Sequence, residues 1–375
     1  MLQGGIKIFT VRGIEIRLDY SWFLIFVLVT WSLAAQYFPQ QHPHWTQPLY
    51  WSLGLVTSLL FFLSVLLHEL AHSFVAQSRG IPVPRITLFI FGGAAQIARE
   101  PKKAGDELVM ALAGPGMSVL IGAVSGLLWW VFKGMGLEPF SALFGWLALI
   151  NVSLAVFNLI PGFPLDGGRV LRAIIWGVSK DSSRSTMIAG AVGKGVAFMF
   201  IFMGVFMLFR GSIFNGVWIA FIGWFLLQAA SASTRQQALT DLLAGHTAGE
   251  VMLTDCPFLD SDTLVSDLVY RHILHTGRRC FPVLDHGKVS GIVTVHNVKA
   301  VPVEQWSQTT ARSIMIPAEQ LKSVLPETPL TRVMELISAD GVNQAPVVKD
   351  GRFIGMVSRD AVMDFLRNKS ELGLK

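Results

Sequence analysis

Six long apolar stretches occupy most of the first 234 residues and limit what the chain can fold into. Five of them contain no charged residue, and the sixth is interrupted only by Lys194. A helix needs about 20 apolar residues to cross the core of a bilayer, and the stretches run 20–37, 50–67, 108–132, 139–165, 186–209 and 211–234. They predict a mainly α-helical, polytopic membrane domain with about six transmembrane helices over residues 1–235.

The charged residues are few and concentrated towards the C-terminal end. Only 15% of the residues are charged, whereas an ordinary soluble domain has about 25%. Of the 55 charged residues, 29 lie in 245–375, so we expect a soluble tail behind the membrane domain. No basic run with interleaved aromatic residues occurs, which argues against nucleic acid as a partner.

Loop charges predict the orientation of the membrane domain. The loops on one face carry only Lys133 and Arg210. The opposite face collects twelve basic residues, namely Lys7, Arg12, Arg17, Arg79, Arg85, Arg99, Lys102, Lys103, Arg169, Arg172, Lys180 and Arg184. Basic loops favour the cytoplasmic side, so we expect a multi-pass protein of the cell membrane with both termini cytoplasmic. The two cysteines, Cys256 and Cys280, fit a reducing compartment for the tail.

Residues 84–98 predict a β-hairpin in the cytoplasmic region between two membrane stretches. The apolar runs TLFIF and AAQIA flank Gly92 and Gly93, as in a tight turn between strands. Two interpretations remain open. The hairpin could be an amphipathic element that lies on the membrane, or its exposed strand edge could pair with an extended peptide.

The strongest chemical signal is the motif His68-Glu69-x-x-His72 at the end of the second stretch. On a helix the two histidines lie one turn apart on the same face, so both imidazoles can bind one metal ion. Glu69 is then placed to accept a proton from a water at that ion. Such polar residues are expensive in lipid unless they face a cavity and bind something, so the motif predicts a zinc site.

A zinc site with two histidines needs a third protein ligand and one open position. Candidates are Asp106 and Glu107, which also suit a helix start, and Asp166 in the segment NLIPGFPLDGGR. Pro and Gly break the helix before Asp166, and irregular backbone at membrane depth must line a protein cavity or water. Asp166 could instead cap the following helix. Asn158 could be a satisfied polar residue between helices, or it could position a substrate carbonyl.

The HELAH and NLIPGFPLDGGR segments together resemble the site-2 protease family of intramembrane zinc metalloproteases, and the segment AGPGMS at 113–118 is similar as well. The resemblance covers about 1–235. It implies that His68, His72 and Asp166 bind one zinc ion per chain and that Glu69 is the catalytic acid and base. It also implies that the substrate is a transmembrane protein segment.

Within the same resemblance, Asn158 aligns the substrate, and the strand region with Gly92 and Gly93 clamps the unwound segment. Local unwinding is needed because a helix hides its own carbonyl groups. A strand edge would then satisfy the freed backbone groups, which membrane lipid cannot do.

The tail contains an internal repeat. TAGEVM recurs as TARSIM, and FPVLDHGKVSGIVT recurs as APVVKDGRFIGMVS. Each copy predicts a strand, an amphipathic helix and two further strands, a unit too small to bury its faces alone. The repeat resembles a tandem pair of CBS domains, at 246–303 and 310–370, with an α/β fold.

CBS pairs commonly bind adenine nucleotides between the copies and often form dimers, so the resemblance implies a nucleotide sensor and a homodimer. The tentative contacts are Thr294, Asn297, Ser358 and Asp360. The family usually has an aspartate three positions after the Thr or Ser. This chain has Asn297 and Ala361 there, with Asp360 one place early, so the second copy departs most from the pattern.

These features favour an intramembrane zinc endopeptidase that acts in regulated intramembrane proteolysis and carries a cytoplasmic regulatory or dimerisation module. The alternative is a membrane channel or transporter gated by CBS domains, since broken helices with Gly and Pro also suit transporters. The HExxH motif discriminates between the two, because a transporter has no need of it. The membrane stretches also show no paired internal repeat.

Overall fold

A computed structural model describes the chain at residues 5–276, 280–285, 288–321, 323–339, 344–350 and 352–372. The chain divides into two compact units, Met1–Gln237 and Ala238–Lys375. Together they confirm the predicted fold class, a helical membrane region with a hairpin followed by an α/β region.

The first unit is built from eight helices among the described residues. They are α1 (Tyr20–Ser32), α2 (Phe38–Gln41), α3 (Gln47–Ser78), α4 (Ala104–Gly134), α5 (Glu138–Asn158), α6 (Asp166–Ser179), α7 (Ser182–Phe209) and α8 (Ile213–Leu243). A π-helical turn at Leu33–Tyr37 joins α1 and α2 into one long segment. This segment and α3, α4, α5, α7 and α8 are the six helices of the described chain that are long and apolar enough to cross a membrane. The protein is therefore a multi-pass membrane protein.

A four-stranded sheet lies beside these helices. Its strands are β1 (Ile6–Val11), β2 (Ile14–Leu18), β3 (Arg85–Phe89) and β4 (Gly92–Gln96), in that order. The pairs β1–β2 and β3–β4 are antiparallel hairpins, whereas β2 and β3 run parallel. The hairpin at 84–98 was predicted, but the sequence analysis missed β1 and β2. The turn between β1 and β2, Arg12-Gly13, has positive φ at both residues, as a two-residue hairpin loop requires.

The sheet packs its apolar face on the C-terminal half of α3. Ile14 and Ile16 of β2 and Ile86 of β3 are buried with Leu66 and Leu70 of α3 in one cluster. Alternate residues of β2 point into this cluster, which follows from the two-residue period of a strand. The packing fixes the helix turn that carries the HExxH motif against the sheet.

The apolar stretch 139–165 is divided between a helix and a turn. Helix α5 ends at Asn158, and α6 begins at Asp166. Pro161 and Pro164 lie in the intervening turn, where proline cannot continue a helix. Helix α6 has 14 residues, too few to cross a bilayer.

The second unit contains the strands β5 (Leu259–Asp260), β6 (Cys280–Asp285), β7 (Lys288–Thr294), β8 (Ile316–Pro317), β9 (Gln344–Lys349) and β10 (Arg352–Ser358). Its helices are α9 (Ala248–Val251), α10 (Val265–Asp267), α11 (Leu274–Thr276), α12 (Val295–Lys299), α13 (Ala311–Ile314), α14 (Leu330–Ala339) and α15 (Arg359–Glu371). A π-helical turn, Leu268–Ile273, connects α10 and α11.

The two copies of the repeat have corresponding antiparallel strand pairs, β6–β7 in the first and β9–β10 in the second. In each copy a short helix (α12 or α15) follows the second strand directly. Each copy has its own apolar cluster, centred on Phe281 in the first and on Val347 in the second.

Candidate metal centre and CBS cleft

Three donor atoms from two distant helices meet in the first unit. His68 and His72 lie on α3 and are 4% and 6% exposed, and Asp166 is the first residue of α6. Asp166 Oδ2 lies 3.2 Å from His68 Nε2 and 3.2 Å from His72 Nε2. The two Nε2 atoms are also 3.2 Å apart. The structure thus brings together the three residues that the sequence analysis selected as ligands.

The opposite nitrogen of each imidazole is held by α4. His72 Nδ1 donates to the backbone carbonyl of Met110 at 2.6 Å, and His68 Nδ1 lies 2.8 Å from Ser118 Oγ. Because a carbonyl can only accept, Nδ1 of His72 carries a proton, and in the neutral ring its Nε2 keeps the lone pair that a metal ion needs. Such partners fix the ring orientation and the tautomer of metal-binding histidines. Ser118 belongs to the AGPGMS segment, which therefore contacts the ring of His68 directly.

This donor set fits a zinc ion. Tetrahedral coordination at about 2.0–2.1 Å places the ligand atoms about 3.3 Å from one another, close to the 3.2 Å found for all three pairs. Two imidazoles and one carboxylate are zinc ligands by type, and three protein ligands leave a fourth position open. Within the described residues this is the group of His, Cys, Asp and Glu side chains that could hold a metal ion.

The space around the donor atoms depends on Gly114 of α4. A Cβ atom at this position would collide with Nε2 of both His68 and His72. The glycine thus leaves open the volume next to the two nitrogens. The role of Gly114 was not predicted from the AGPGMS segment, because it depends on contacts with another helix.

Glu69 lies next to strand β4. The side chain is half-buried, and a Cβ atom at Gly93 would collide with its Cγ. Strand β4 therefore passes directly beside the glutamate. It is an end strand of the sheet and pairs only with β3 among the described strands, so the strand that passes Glu69 also has an edge without a strand partner there.

The tip of the β3–β4 hairpin contacts the last membrane helix. Phe91 stacks on Phe225 of α8 with ring centroids 4.1 Å apart, and it also contacts Phe221. The neighbouring Gly92 has a φ of 129°, a backbone conformation that favours glycine. Gly92 thus shapes the turn, whereas Gly93 contacts Glu69.

Asn158 ends α5, eight residues before Asp166, and is half-buried. Its side chain has no hydrogen-bond partner within the described part of the chain. This leaves its amide free to bind another molecule.

The other two acids considered as ligands are engaged elsewhere. Asp106 Oδ1 pairs with Arg79 at 2.9 Å, and Glu107 Oε1 accepts from Arg172 at 3.2 Å. Neither joins the two histidines. Arg172 was expected only as one of the basic residues that orient the membrane domain, and its contact with Glu107 was not predicted.

In the first CBS copy, the two tentative nucleotide contacts, Thr294 and Asn297, form hydrogen bonds with each other. The backbone N–H of Thr294 donates to Asn297 Oδ1 at 2.9 Å, and the Thr294 hydroxyl donates to the same oxygen at 2.6 Å. The backbone N–H of Asn297 in turn donates to Thr294 Oγ1 at 3.4 Å, which completes a capping box at the start of α12. Both side chains therefore serve the helix start in this structure.

Ser358 and Asp360 of the second copy instead line an open cleft of about 440 Å³ that residues of both copies form. Its walls also include Cys256 and Cys280. Burial raises the pKa of the Cys280 thiol, so this thiol stays protonated at neutral pH. Ala361 cannot form the side-chain half of a capping box, and Ser358 Oγ accepts from the N–H of Ala361 at 3.0 Å.

Comparison with known families identifies both units. The family model described as Peptidase family M50 matches residues 56–139 and 135–202. The CBS domain model matches twice, at 248–304 and 311–368.

Several relatives align along almost the entire chain. A Synechocystis protein named as a zinc metalloprotease, sll0528, is 31% identical over 98% of this chain and 97% of its own length. Zinc metalloprotease MJ0392 of Methanocaldococcus jannaschii is 28% identical over 99% of this chain and 98% of its own. A solved structure, the site-2 protease from Methanocaldococcus jannaschii, has 28% identity and a TM-score of 0.43, and the match covers 62% of this chain and 95% of that one.

The metal-ligand geometry, the family matches and the relatives all point to one family. The chain belongs to peptidase family M50, the site-2 proteases, and is a zinc metalloprotease with a C-terminal pair of CBS domains.

Proposed function

We propose that the protein is an intramembrane endopeptidase in which His68, His72 and Asp166 bind one zinc ion and Glu69 is the catalytic acid and base. The observation that carries this proposal is the convergence of three donor atoms, each 3.2 Å from the others, next to Glu69. The site is surrounded by apolar helices, where such polar groups are expensive unless they bind something.

The residues divide the chemistry between them. A bound zinc ion would act as a Lewis acid that polarises both a water molecule and the scissile carbonyl. Glu69 would take the proton from the water during attack and later give it to the leaving amine. Met110 and Ser118 would hold the imidazoles in orientation throughout.

The substrate in this proposal is a transmembrane segment of a membrane-anchored protein, cleaved in regulated intramembrane proteolysis. The edge of β4 is proposed to receive an unwound segment, because it has no further strand partner among the described residues and belongs to the strand that packs against Glu69. Pairing would satisfy the freed backbone groups in a way that lipid cannot. Asn158 would donate from its side-chain amide to a substrate carbonyl, and Gly92 and Gly93 would admit the segment.

The CBS pair is proposed to be a cytoplasmic regulatory or dimerisation module. The basic loops favour N- and C-termini in the cytoplasm. Adenine nucleotides are available in that compartment. The open cleft with Ser358 and Asp360 is the candidate nucleotide site. The relatives are named for metalloprotease chemistry, which does not favour a channel or transporter gated by the CBS domains.

Replacing the catalytic carboxylate tests the proposal. We expect Glu69→Gln to keep one zinc ion per chain but to abolish cleavage of a model transmembrane substrate in proteoliposomes, because the amide cannot accept the proton. Zinc content is measured by mass spectrometry of the metal, and cleavage by gel analysis. Glu138→Gln is the matched control. Glu138 begins α5, at the opposite end of that helix from Asn158, and its carboxylate bonds His44. Full activity in Glu69→Gln would remove Glu69 from the mechanism.

A further inference from the structure

A buried ion pair joins the helix that orients the histidines to the helix that supplies the carboxylate. Glu107 of α4 is fully buried and Arg172 of α6 is 7% exposed. Arg172 donates from Nη1 to Glu107 Oε1 at 3.2 Å and from Nη2 to Glu100 Oε2 at 2.7 Å. The first contact joins α6 to α4, and the second joins α6 to the segment that precedes α4.

Both partners lie close along their helices to the metal centre. Glu107 precedes Met110, the partner of His72, by one helical turn on α4. Arg172 follows Asp166 by six residues on α6, which is about 9 Å of helix. Arg169 lies between Asp166 and Arg172 on α6, and its Nε is 4.0 Å from Glu107 Oε1. A shift of α6 along α4 would therefore move Asp166 and break this pair together.

The pair is poorly explained as a source of stability. Taking two charges out of water costs several kcal/mol each, and a well-packed apolar pair is often as stable or more stable. The hydrogen bonding is also incomplete, because Glu107 Oε2 and Arg172 Nε have no partner within the described residues. What the guanidinium adds over an apolar contact is direction, since its planar, rigid group fixes the directions in which Nη1 donates to Glu107 and Nη2 donates to Glu100.

We propose that Glu107 and Arg172 are positioning residues that set the register of α6 against α4, so that Asp166 Oδ2 meets the two imidazoles that α4 orients. This inference rests on the proposed zinc site. It assigns Glu107 to the support of the ligands and not to the ligand set itself.

The test separates positioning from stability. In the double variant Glu107→Leu with Arg172→Met, an apolar contact replaces the ion pair. We expect the thermal midpoint of the zinc-free protein in nanodiscs to stay close to that of the wild type. We expect the zinc dissociation constant, measured by competition with a chelator, to rise about 10- to 100-fold, as is typical when the outer support of a metal ligand is lost. Arg172→Lys keeps the charge but not the fork, and we expect it to weaken zinc binding as well.

The matched control is Asp106→Asn on the same turn of α4. Asp106 pairs with Arg79 at the end of α3. We expect the Asp106→Asn variant to bind zinc with the affinity of the wild type. The inference is overturned if the double variant binds zinc as tightly as the wild type, or if the single variant Arg172→Lys retains the zinc affinity of the wild type. If the double variant does not fold, Arg172→Lys alone decides. Failure of the wild type itself to bind zinc would overturn the proposed metal site on which the inference rests.

Discussion

The candidate metal centre and the CBS cleft are both built from short sequence motifs, but the fold uses their polar side chains differently. At the candidate metal centre, the side chains of His68, His72 and Asp166 point at one another from two helices inside an apolar bundle. At the first CBS copy, Thr294 and Asn297 bond to each other at a helix start. At the second copy, Ser358 and Asp360 face an open cleft.

The difference shows how surroundings decide what a motif means. In lipid, polar side chains have few alternatives to a partner or a ligand, so their convergence is strong evidence of a site. In the second unit water and local backbone are alternative partners, and the same residue types can simply cap a helix. We therefore expect substitutions at the zinc centre to have much larger effects than those at the CBS residues.

The largest effect is expected for Gly114→Ala. The added methyl group would collide with Nε2 of both His68 and His72, so we expect zinc binding and cleavage to be lost. Zinc content of the purified protein is the measurement. Gly116→Ala on the same helix is the control, because a Cβ there meets no atom within 4 Å. Normal zinc content in Gly114→Ala would place the ion elsewhere.

An intermediate effect is expected for Asp360→Ala in the CBS cleft. Loss of a hydrogen bond to a charged group costs about 1.5–3 kcal/mol, so we expect the affinity for AMP or ATP to fall about 10- to 100-fold. Isothermal titration calorimetry on the full chain measures it, with Asp267→Asn in the first copy as the control. Unchanged affinity would exclude Asp360 as a contact, and no heat with the wild type would argue against a nucleotide site.

The smallest effect is expected for Asn297→Ala, which breaks the capping box of α12. Loss of a cap costs about 1 kcal/mol, so amide exchange in 294–299 is expected to become about fivefold faster. Hydrogen–deuterium exchange of the full chain measures this, and peptides from β9 and β10 serve as the internal control. We expect nucleotide affinity to be unchanged. A fall in that affinity would contradict the structural role and make the first copy a binding site.

The sequence was sufficient for features that depend on local pattern. Long apolar stretches predicted the six membrane helices, and HExxH predicted two imidazoles on one helix face. The turn around Gly92 and Gly93 predicted the hairpin of β3 and β4. The β1–β2 hairpin was missed, although the alternation in IEIRL and the Arg12-Gly13 turn were available signals.

Long-range contacts were not predictable from local pattern. Asp106, Glu107 and Asp166 were all plausible ligands until helix packing placed Asp106 and Glu107 against arginines. Before the structure, Asp166 was favoured only by the helix break that precedes it and by the family resemblance. The role of Gly114 was also hidden, because the collision that it avoids involves residues more than 40 positions away in the chain.

The length of β4 has a consequence for substrate choice under the proposed function. A segment that pairs with its five residues would be about 17 Å long as a strand but only about 7.5 Å long as a helix. The extra 9 Å or so must go somewhere, so one flank of the cleaved segment has to move towards water. Substrates with a flexible segment just outside the bilayer would be cleaved readily, whereas substrates held close to the membrane at both ends of the segment would resist cleavage.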